Sequence, residues 1–230
     1  MAEPVTGARL AEVPLFARLP PETREELATR FVSRAYPRGA TVFQQGDPGR
    51  SLYVIDEGAV KISFLAADGR EMVVTVLGPG DVFGEMALFD PEGARSADAS
   101  AMEAARLLSL SHEVFREYLV AHPSVSVELL GVLAKRLRES DRALQDAIFS
   151  DVPGRLARRF LDLAERYGEA RDGGTLIELP MTQEELARMV GSSRESVNKA
   201  IASFVHRGWL RTAGRRYVVA DPEALRRRAR

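Results

Sequence analysis

The chain has 230 residues, 45% of them hydrophobic, 28% charged and none of them cysteine, which is enough for two domains with their own cores and excludes disulfides, thiolate metal sites and cysteine-held iron–sulfur clusters. No apolar run approaches a bilayer span and no basic-then-apolar leader opens the chain, so a cytoplasmic protein without membrane contact is expected. The net charge of −1 hides an asymmetry, because from Pro153 to Arg230 16 Lys+Arg face 10 Asp+Glu, a balance of +6 against −7 for the remainder, and a basic rear half points to an anionic partner, nucleic acid first.

Residues 1–36 are expected to form short helices. Leu27 and Phe31 lie four apart, and Pro20-Pro21 followed by acidic residues suits a helix start. From Pro37 to about Leu110, β-rich runs (TVF, LYVI, VKISF, EMVVTVL, ARLLSL) alternate with Gly39, Gly46, Gly49, Gly58, Gly69, Gly78 and Gly80. That texture predicts an antiparallel sandwich or roll, with most of these glycines serving as turn residues and a hairpin turn at Ala67-Asp68-Gly69. Residues 81–101 break the strand pattern with a short helix-like piece, Glu85 to Phe89, opened by Gly84 and followed by Arg95 and Ser96. A glycine before a short helix exposes backbone N–H groups that suit an anion. Arginine and serine add donors for phosphate oxygens, and a carboxylate nearby suits a sugar hydroxyl. Glu85 and Arg95 would also fit an ordinary ion pair. His112 and His122 are expected at the surface or as caps, and neither has a second ligand at metal spacing.

A long helix is predicted from about Val125 to Phe149. Leu130, Leu133, Leu137, Leu144 and Ala147 recur along it in steps of three and four, the seam of a two-stranded coiled coil. Ser140 takes the seam position after Leu137, where a polar residue either fixes register or faces a ligand. Ser150 to Gly154 breaks the helix as a hinge, with Asp151 or Ser150 as a cap and Pro153 in the next first turn. A helix from Pro153 to Tyr167 should bury Leu156, Phe160, Leu161 and Leu163, followed by a polar loop (GEARDGGT) and a short strand (LIEL). Thr182 with Glu185 is a capping box, Gly191 ends that helix, and Ser192 with Glu195 reads as a second capping box. Two helices joined by so short a glycine turn form a helix-turn-helix. Val197, Ile201, Phe204 and Val205 make the inward stripe of the second helix, leaving Arg194, Glu195, Asn198 and Lys199 free to meet base edges. The following hairpin makes a wing whose tip, Gly214-Arg215-Arg216, can neutralise phosphates, while Trp209 reads as core and EALRRRAR as sequence-independent charge.

Phe83-Gly84-Glu85-Met86-Ala87-Leu88 with Arg95-Ser96-Ala97 resembles the phosphate-binding cassette of cyclic-nucleotide-binding domains. Gly191 to Lys199 resembles the recognition motif of the CRP/FNR regulators, particularly the cyclic-AMP receptor proteins. The resemblance implies an α+β chain: a β-roll nucleotide-binding domain over residues 1–122, a dimerisation helix over 123–150 and a winged helix-turn-helix over 151–230. It implies that Glu85 holds the ribose 2′-hydroxyl, that Arg95, Ser96 and backbone amides near Gly84 and Met86 hold the cyclic phosphate, and that Arg136 supports this pocket. Ser140 would read adenine within its own subunit and Asp141 would reach the nucleotide of the other. Asp141 departs from the usual small neutral residue, which keeps cyclic GMP, a cyclic dinucleotide or ligand-free DNA binding open beside cyclic AMP. On the DNA side the expected residues are Thr182, Gln183, Ser193, Arg194, Glu195, Asn198, Lys199, Arg215 and Arg216, set on TGTGA-like half-sites. The expected partners are double-stranded DNA, a second copy of the chain and RNA polymerase. The resemblance further implies cyclic AMP as effector, with no metal, haem or cluster expected and no segment left over for a catalytic domain.

Overall fold

The computed structural model describes residues 4–66, 68–171 and 173–229, so Ala67 of the expected hairpin turn lies outside them. Backbone contacts gather them into two compact units, Met1–Leu65 with Thr75–Arg138 and Ala66–Val74 with Glu139–Arg230.

The first unit opens with two short helices, α1 (Gly7–Ala11) and α2 (Pro21–Ala28). Strands β1 (Val32–Tyr36), β2 (Thr41–Phe43), β3 (Ser51–Glu57), β4 (Val60–Leu65), β5 (Glu71–Leu77), β6 (Val82–Phe83), β7 (Asp98–Ala101) and β8 (Ala105–Ser111) follow. They form two antiparallel four-stranded sheets, ordered β1-β8-β3-β6 and β2-β7-β4-β5. The helical expectation for residues 1–36 therefore fails beyond Phe31. Val32 to Tyr36 pair with Ser109 to Ala105 of β8, and a partner strand 69 to 77 positions away overrides local preference. Ile55, Phe83 and Leu107 from one sheet meet Val60, Leu77, Ala99 and Ala101 from the other in one buried cluster. A second cluster joins the N-terminal helices to the roll, with Phe16 edge-on to both Phe31 and Phe115.

After β8 come α3 (His112–Ala121) and α4 (Pro123–Phe149). Leu133, expected in the seam, instead packs against the second cluster of the roll. The outward apolar residues are Val127, Leu130, Leu137, Leu144 and Ile148, all 61–65% exposed, with Phe149 at the helix end 83% exposed. Both frames share Leu130, Leu137 and Leu144, and the burial of Leu133 selects between them. In the frame that includes Val127 and Ile148, the position between Leu137 and Leu144 belongs to Asp141 rather than Ser140. The side chain of Ala147 lies outside the described residues.

The second unit contains α5 (Val152–Tyr167), β9 (Gly168–Arg171), β10 (Gly174–Ile177), α6 (Gln183–Val190), α7 (Arg194–His206), β11 (Leu210–Ala213), β12 (Arg216–Val219) and α8 (Pro222–Arg228). Asp151 caps α5 by accepting from the Gly154 N–H at 2.9 Å. Leu156, Phe160 and Leu163 are buried as expected, whereas Leu161 is only half-buried. The polar loop expected after α5 contains a strand: β9 pairs with β10 at the edge of a sheet ordered β11-β12-β10-β9. All four β9 residues are exposed, so no apolar alternation marks it in the sequence. The basic tail is likewise α8, capped by Asp221 and anchored through buried Ala224 and Leu225.

The capping box of α6 is complete, with Thr182 Oγ1 accepting from the Glu185 N–H and Glu185 Oε2 accepting from the Thr182 N–H. Gly191 closes the helix at φ +61°, a conformation costly for residues with a Cβ. The cap of α7 is Ser193, one residue later than expected, accepting from the Ser196 N–H at 3.2 Å. The Ser192 N–H instead donates back to the Ala187 carbonyl at the end of α6. The turn consumes one more residue than the sequence spacing implied, and Glu195 becomes a first-turn acid instead of a box partner. Among the described residues no helix is long and apolar enough to cross a membrane.

Candidate nucleotide pocket and nucleic-acid interface

Strand β6 delivers Gly84 to the mouth of a small cavity in the first unit, lined by Phe43, Glu85, Met86, Arg95, Ser96 and Arg136 among others. Gly84 sits at φ +80°, and a Cβ there would come within 2.6 Å of Arg95 Nη1. The positive φ favours glycine, and the Ser51 carbonyl 3.2 Å from that Cβ tightens the space further. Residues Met86–Leu88 then form a single 3₁₀ turn that carries Glu85 into the interior.

Glu85 is fully buried. Its Oε1 accepts from Arg136 Nη1, and Arg136 Nη2 also donates to the Val82 carbonyl. Glu85 Oε2 has no partner. Arg95, only 5% exposed, does not pair with Glu85, contrary to the ordinary ion-pair reading. Its Nη1 donates to the Gly84 carbonyl and its Nη2 to the Ser51 carbonyl, each at 2.8 Å. The guanidinium lies 4.1 Å over the Phe43 ring, and its Nε has no partner. Burial pulls the Arg95 pKa below the usual arginine value, while Tyr53, Asp47 and Glu85 act in the opposite sense. A guanidinium nonetheless stays charged in a protein. The Ser96 hydroxyl rests against Met86 Sδ at 3.7 Å, a weak acceptor that any phosphate oxygen would outcompete.

One cavity thus holds a buried donor and a buried acceptor, both unsatisfied. Orphaned buried polar groups are costly, and where a fold retains them a ligand that satisfies them gains that energy.

Three contributors to this site escaped the sequence reading. Gly49 read as a turn glycine, yet a Cβ on it would approach the Ala87 Cβ to 2.2 Å and the Arg95 Cδ and Nε to 3.3 Å. Its missing side chain makes room for Arg95. Ser51 contributes only a carbonyl, which no side-chain pattern can announce. His112, expected at the surface or as a cap, is buried, with Nε2 3.1 Å from the Gly84 carbonyl. Gly49→Ala is therefore expected to displace the cassette and weaken nucleotide binding about tenfold or more, the overpacking penalty being concentrated on Arg95. Isothermal titration beside an unfolding curve checks this, and unchanged affinity would show that the packing is dispensable.

Ser140 and Asp141 lie on α4, both exposed. On the nucleic-acid side, Arg194, Glu195, Asn198 and Lys199 are exposed along the first turns of α7, whereas Val197, Ala200, Ile201 and Phe204 are buried. Val205, expected to point inward, is 38% exposed. Lys199 pairs with Glu195 at 2.7 Å, and Gln183 Nε2 donates to Asn198 Oδ1 at 3.1 Å, tying the start of α6 to the outer face of α7. Thr182 and Ser193 are engaged as caps. The wing turns at Gly214, φ +63°, with Arg215 exposed at the tip. Arg216 begins β12 and pairs with Glu178 at 3.1 Å, so Arg215 is the freer cation of the two. Trp209 is half-buried against Phe204, as expected for a core residue. Among the described residues no group of three or more His, Asp or Glu side chains could hold a metal ion.

Residues 33–122 match the cyclic nucleotide-binding domain, and residues 154–228 match the Crp-like helix-turn-helix domain. Over 221 residues the chain is 44% identical to a CRP-like cAMP-activated global transcriptional regulator of Mycobacterium tuberculosis, covering 96% of this chain and 98% of that one. The chain belongs to the CRP/FNR family of transcriptional regulators. It is also 37% identical over 199 residues to the cyclic AMP receptor protein of Thermus thermophilus, covering 86% of this chain and 88% of that one. Among solved structures it is similar to CLP of Xanthomonas campestris, described as a c-di-GMP responsive global regulator. That match has a TM-score of 0.76 and 29% identity, and covers 87% of this chain and 99% of that one. Family membership makes the roll a cyclic-nucleotide-binding domain and the rear half a DNA-binding one. Its relatives are regulators rather than enzymes.

Proposed function

We propose that this regulator is a cytoplasmic homodimer that binds cyclic AMP in each roll and, so occupied, binds a palindromic TGTGA-like site through its paired recognition helices. The observation that carries the ligand reading is the orphaned pair in one cavity, Glu85 Oε2 and Arg95 Nε. A ribose 2′-hydroxyl supplies the donor the first lacks, and a cyclic phosphate supplies the acceptor the second lacks. Arg95 and Ser96, with backbone amides near Gly84 and Met86, hold the phosphate. The cavity measures about 60 Å³, space for a few waters, so a nucleotide enters only if side chains move. Arg136 is the group to move, because it lines the cavity on Glu85 Oε1 while the ribose hydroxyl takes the free Oε2 beside it. Arg136 stands on α4, which makes its release a ligand-dependent change in how that helix is held.

Ser140 and Asp141 are the base-reading residues in this proposal, Ser140 within its own subunit and Asp141 toward the partner's nucleotide. The exposed apolar stripe of α4 supports a two-stranded helix pair. Recognition helices so paired reach successive major grooves, roughly 34 Å apart. Arg194, Glu195, Asn198 and Lys199 read bases, while Thr182, Gln183, Ser193, Arg215 and Arg216 contact or set the backbone register. RNA polymerase is the further partner this role requires.

Asp141 favours a second reading, the same device responding to cyclic GMP or a cyclic dinucleotide, because a carboxylate accepts on its two oxygens from the adjacent N1–H and exocyclic amine of guanine, whereas adenine sets its amine beside an acceptor nitrogen. Isothermal titration with cyclic AMP, cyclic GMP and c-di-GMP separates the cases. Anisotropy of a labelled TGTGA-containing palindrome, with and without the tightest ligand, then tests the coupling. Cyclic AMP should bind tightest and raise DNA affinity, and DNA should tighten cyclic AMP by the same factor. Equal DNA affinity with and without nucleotide would remove the allosteric part.

A further inference from the structure

His112 is the first residue of α3, directly after β8. Its backbone N–H donates to the Arg50 carbonyl at 2.9 Å, and its side chain is enclosed. Nε2 faces the Gly84 carbonyl at 3.1 Å. A carbonyl only accepts, so Nε2 carries the hydrogen and donates. The same carbonyl already accepts from Arg95 Nη1. Gly84 O therefore has two donors, one from the residue that meets phosphate and one from a residue that does not.

This doubling matters because both terminal nitrogens of Arg95 are engaged by backbone carbonyls, Gly84 and Ser51, with only Nε left over. A two-pronged grip on a phosphate needs a second nitrogen of the fork, so one carbonyl must be released. A buried carbonyl stripped of its only donor costs as much as a lost hydrogen bond. Of the two, Gly84 is the carbonyl with a second donor, His112, which makes it the one that can be released at least cost. Holding Gly84 O has a further consequence. The peptide is planar and trans, so the Glu85 N–H points opposite that oxygen. A donor fixed on the carbonyl fixes the direction of the first amide of the cassette.

We infer that His112 is a positioning residue for anion binding: it keeps the Gly84 peptide oriented and satisfied while Arg95 turns from that carbonyl to a bound phosphate. The inference rests on the nucleotide reading above. The electrostatics agree with a neutral donor. Burial holds the His112 pKa below the usual histidine value; Arg95 and Arg116 push the same way, and the backbone of Gly84 and Gly49 opposes them. A neutral imidazole donates through Nε2 without adding a cation that would compete for the ligand.

The test uses the full chain titrated with cyclic AMP in an isothermal calorimeter, each variant also followed through thermal unfolding. His112→Gln keeps a side-chain N–H donor; His112→Leu and His112→Met remove it, the second with a more adaptable shape should the first not fold. Loss of the donor should weaken cyclic AMP binding about tenfold, while His112→Gln stays within about threefold of the parent chain. Parental affinity in either apolar variant overturns the inference. Equal weakening by His112→Gln, His112→Leu and His112→Met assigns His112 to packing and overturns it too. Should the parent chain bind neither cyclic AMP nor any other cyclic nucleotide, the nucleotide reading fails and takes this inference with it. That outcome is distinct, because it is seen without any variant.

Discussion

Arg95→Ala is expected to lower cyclic-nucleotide affinity by about a hundredfold or more while the chain remains folded. A hydrogen bond to a charged partner is worth about 1.5–3 kcal/mol, and in the proposed complex the guanidinium, once Nη1 leaves the Gly84 carbonyl, makes two of them on one phosphate through Nε and Nη1. Losing both gives a factor of about 10² at least, since each ~1.4 kcal/mol is tenfold. The enclosed setting keeps the effect from being screened as it would be at the surface, since Arg95 lies under Phe43 and beside Tyr53 with almost no exposure. Arg95→Lys should recover only part of the loss, because a point charge replaces a planar fork and cannot hold the Ser51 carbonyl and a phosphate together. Isothermal titration of the three proteins, beside their unfolding midpoints, measures both effects. Affinity within threefold of the parent in Arg95→Ala would remove Arg95 from the phosphate site.

The parts of this site that were legible in the sequence are those where one residue type does a job nothing else can. Gly84 before a short turn, Arg95 and Ser96 after it, and the Thr182–Glu185 box before a helix closed by Gly191 are all local constraints written within a dozen positions. What was not legible depends on distant partners. Glu85 looked as if it could pair with Arg95, ten positions on, but its partner is Arg136, fifty-one positions away on another element. His112 carried no periodic or spacing signal, and its burial follows from where β8 ends against the Gly49 turn. Leu133 and Leu130 are indistinguishable by spacing, and only the roll packed beneath α4 shows which of them faces inward. Strand β9 lacks any apolar residue that alternation could detect, apart from Ala170. Ladder hydrogen bonds to β10 hold it, and these are backbone properties common to every sequence.

The selected frame of α4 also bears on the role proposed for Asp141. With Val127, Leu130, Leu137, Leu144 and Ile148 outward, Asp141 falls among apolar neighbours in the stripe proposed to meet a second copy. Two carboxylates brought together across a helix pair repel and lose water. A ligand amine offered between them would relieve both costs. In this proposal Asp141 therefore opposes pairing when the pocket is empty and favours it when filled, a sharper role than that of a neutral side chain.

Arg194→Ala should erase much of the distinction between a TGTGA-like palindrome and a scrambled duplex, and it carries the second large expected effect. Arg194 is the first residue of α7, exposed and held in place by the Ser193 cap directly before it. A helix entering the major groove presents that end to the bases, and an arginine there grips guanine O6 and N7 in a bidentate contact worth about 1–3 kcal/mol of discrimination. Two recognition helices contribute in a dimer, so the ratio of specific to nonspecific affinity should fall by about the square of the single-site factor, some 10²-fold or more. Arg215→Ala should behave differently. A wing-tip cation that neutralises phosphate lowers affinity for both duplexes alike and reduces the slope of log affinity against log salt by about 0.9 per contact. Anisotropy titrations of both variants on both duplexes, across a salt series and with cyclic nucleotide present, distinguish base reading from charge. If Arg194→Ala lost affinity equally on the two duplexes, Arg194 would be a backbone contact and the base-reading role would pass to Glu195, Asn198 and Lys199.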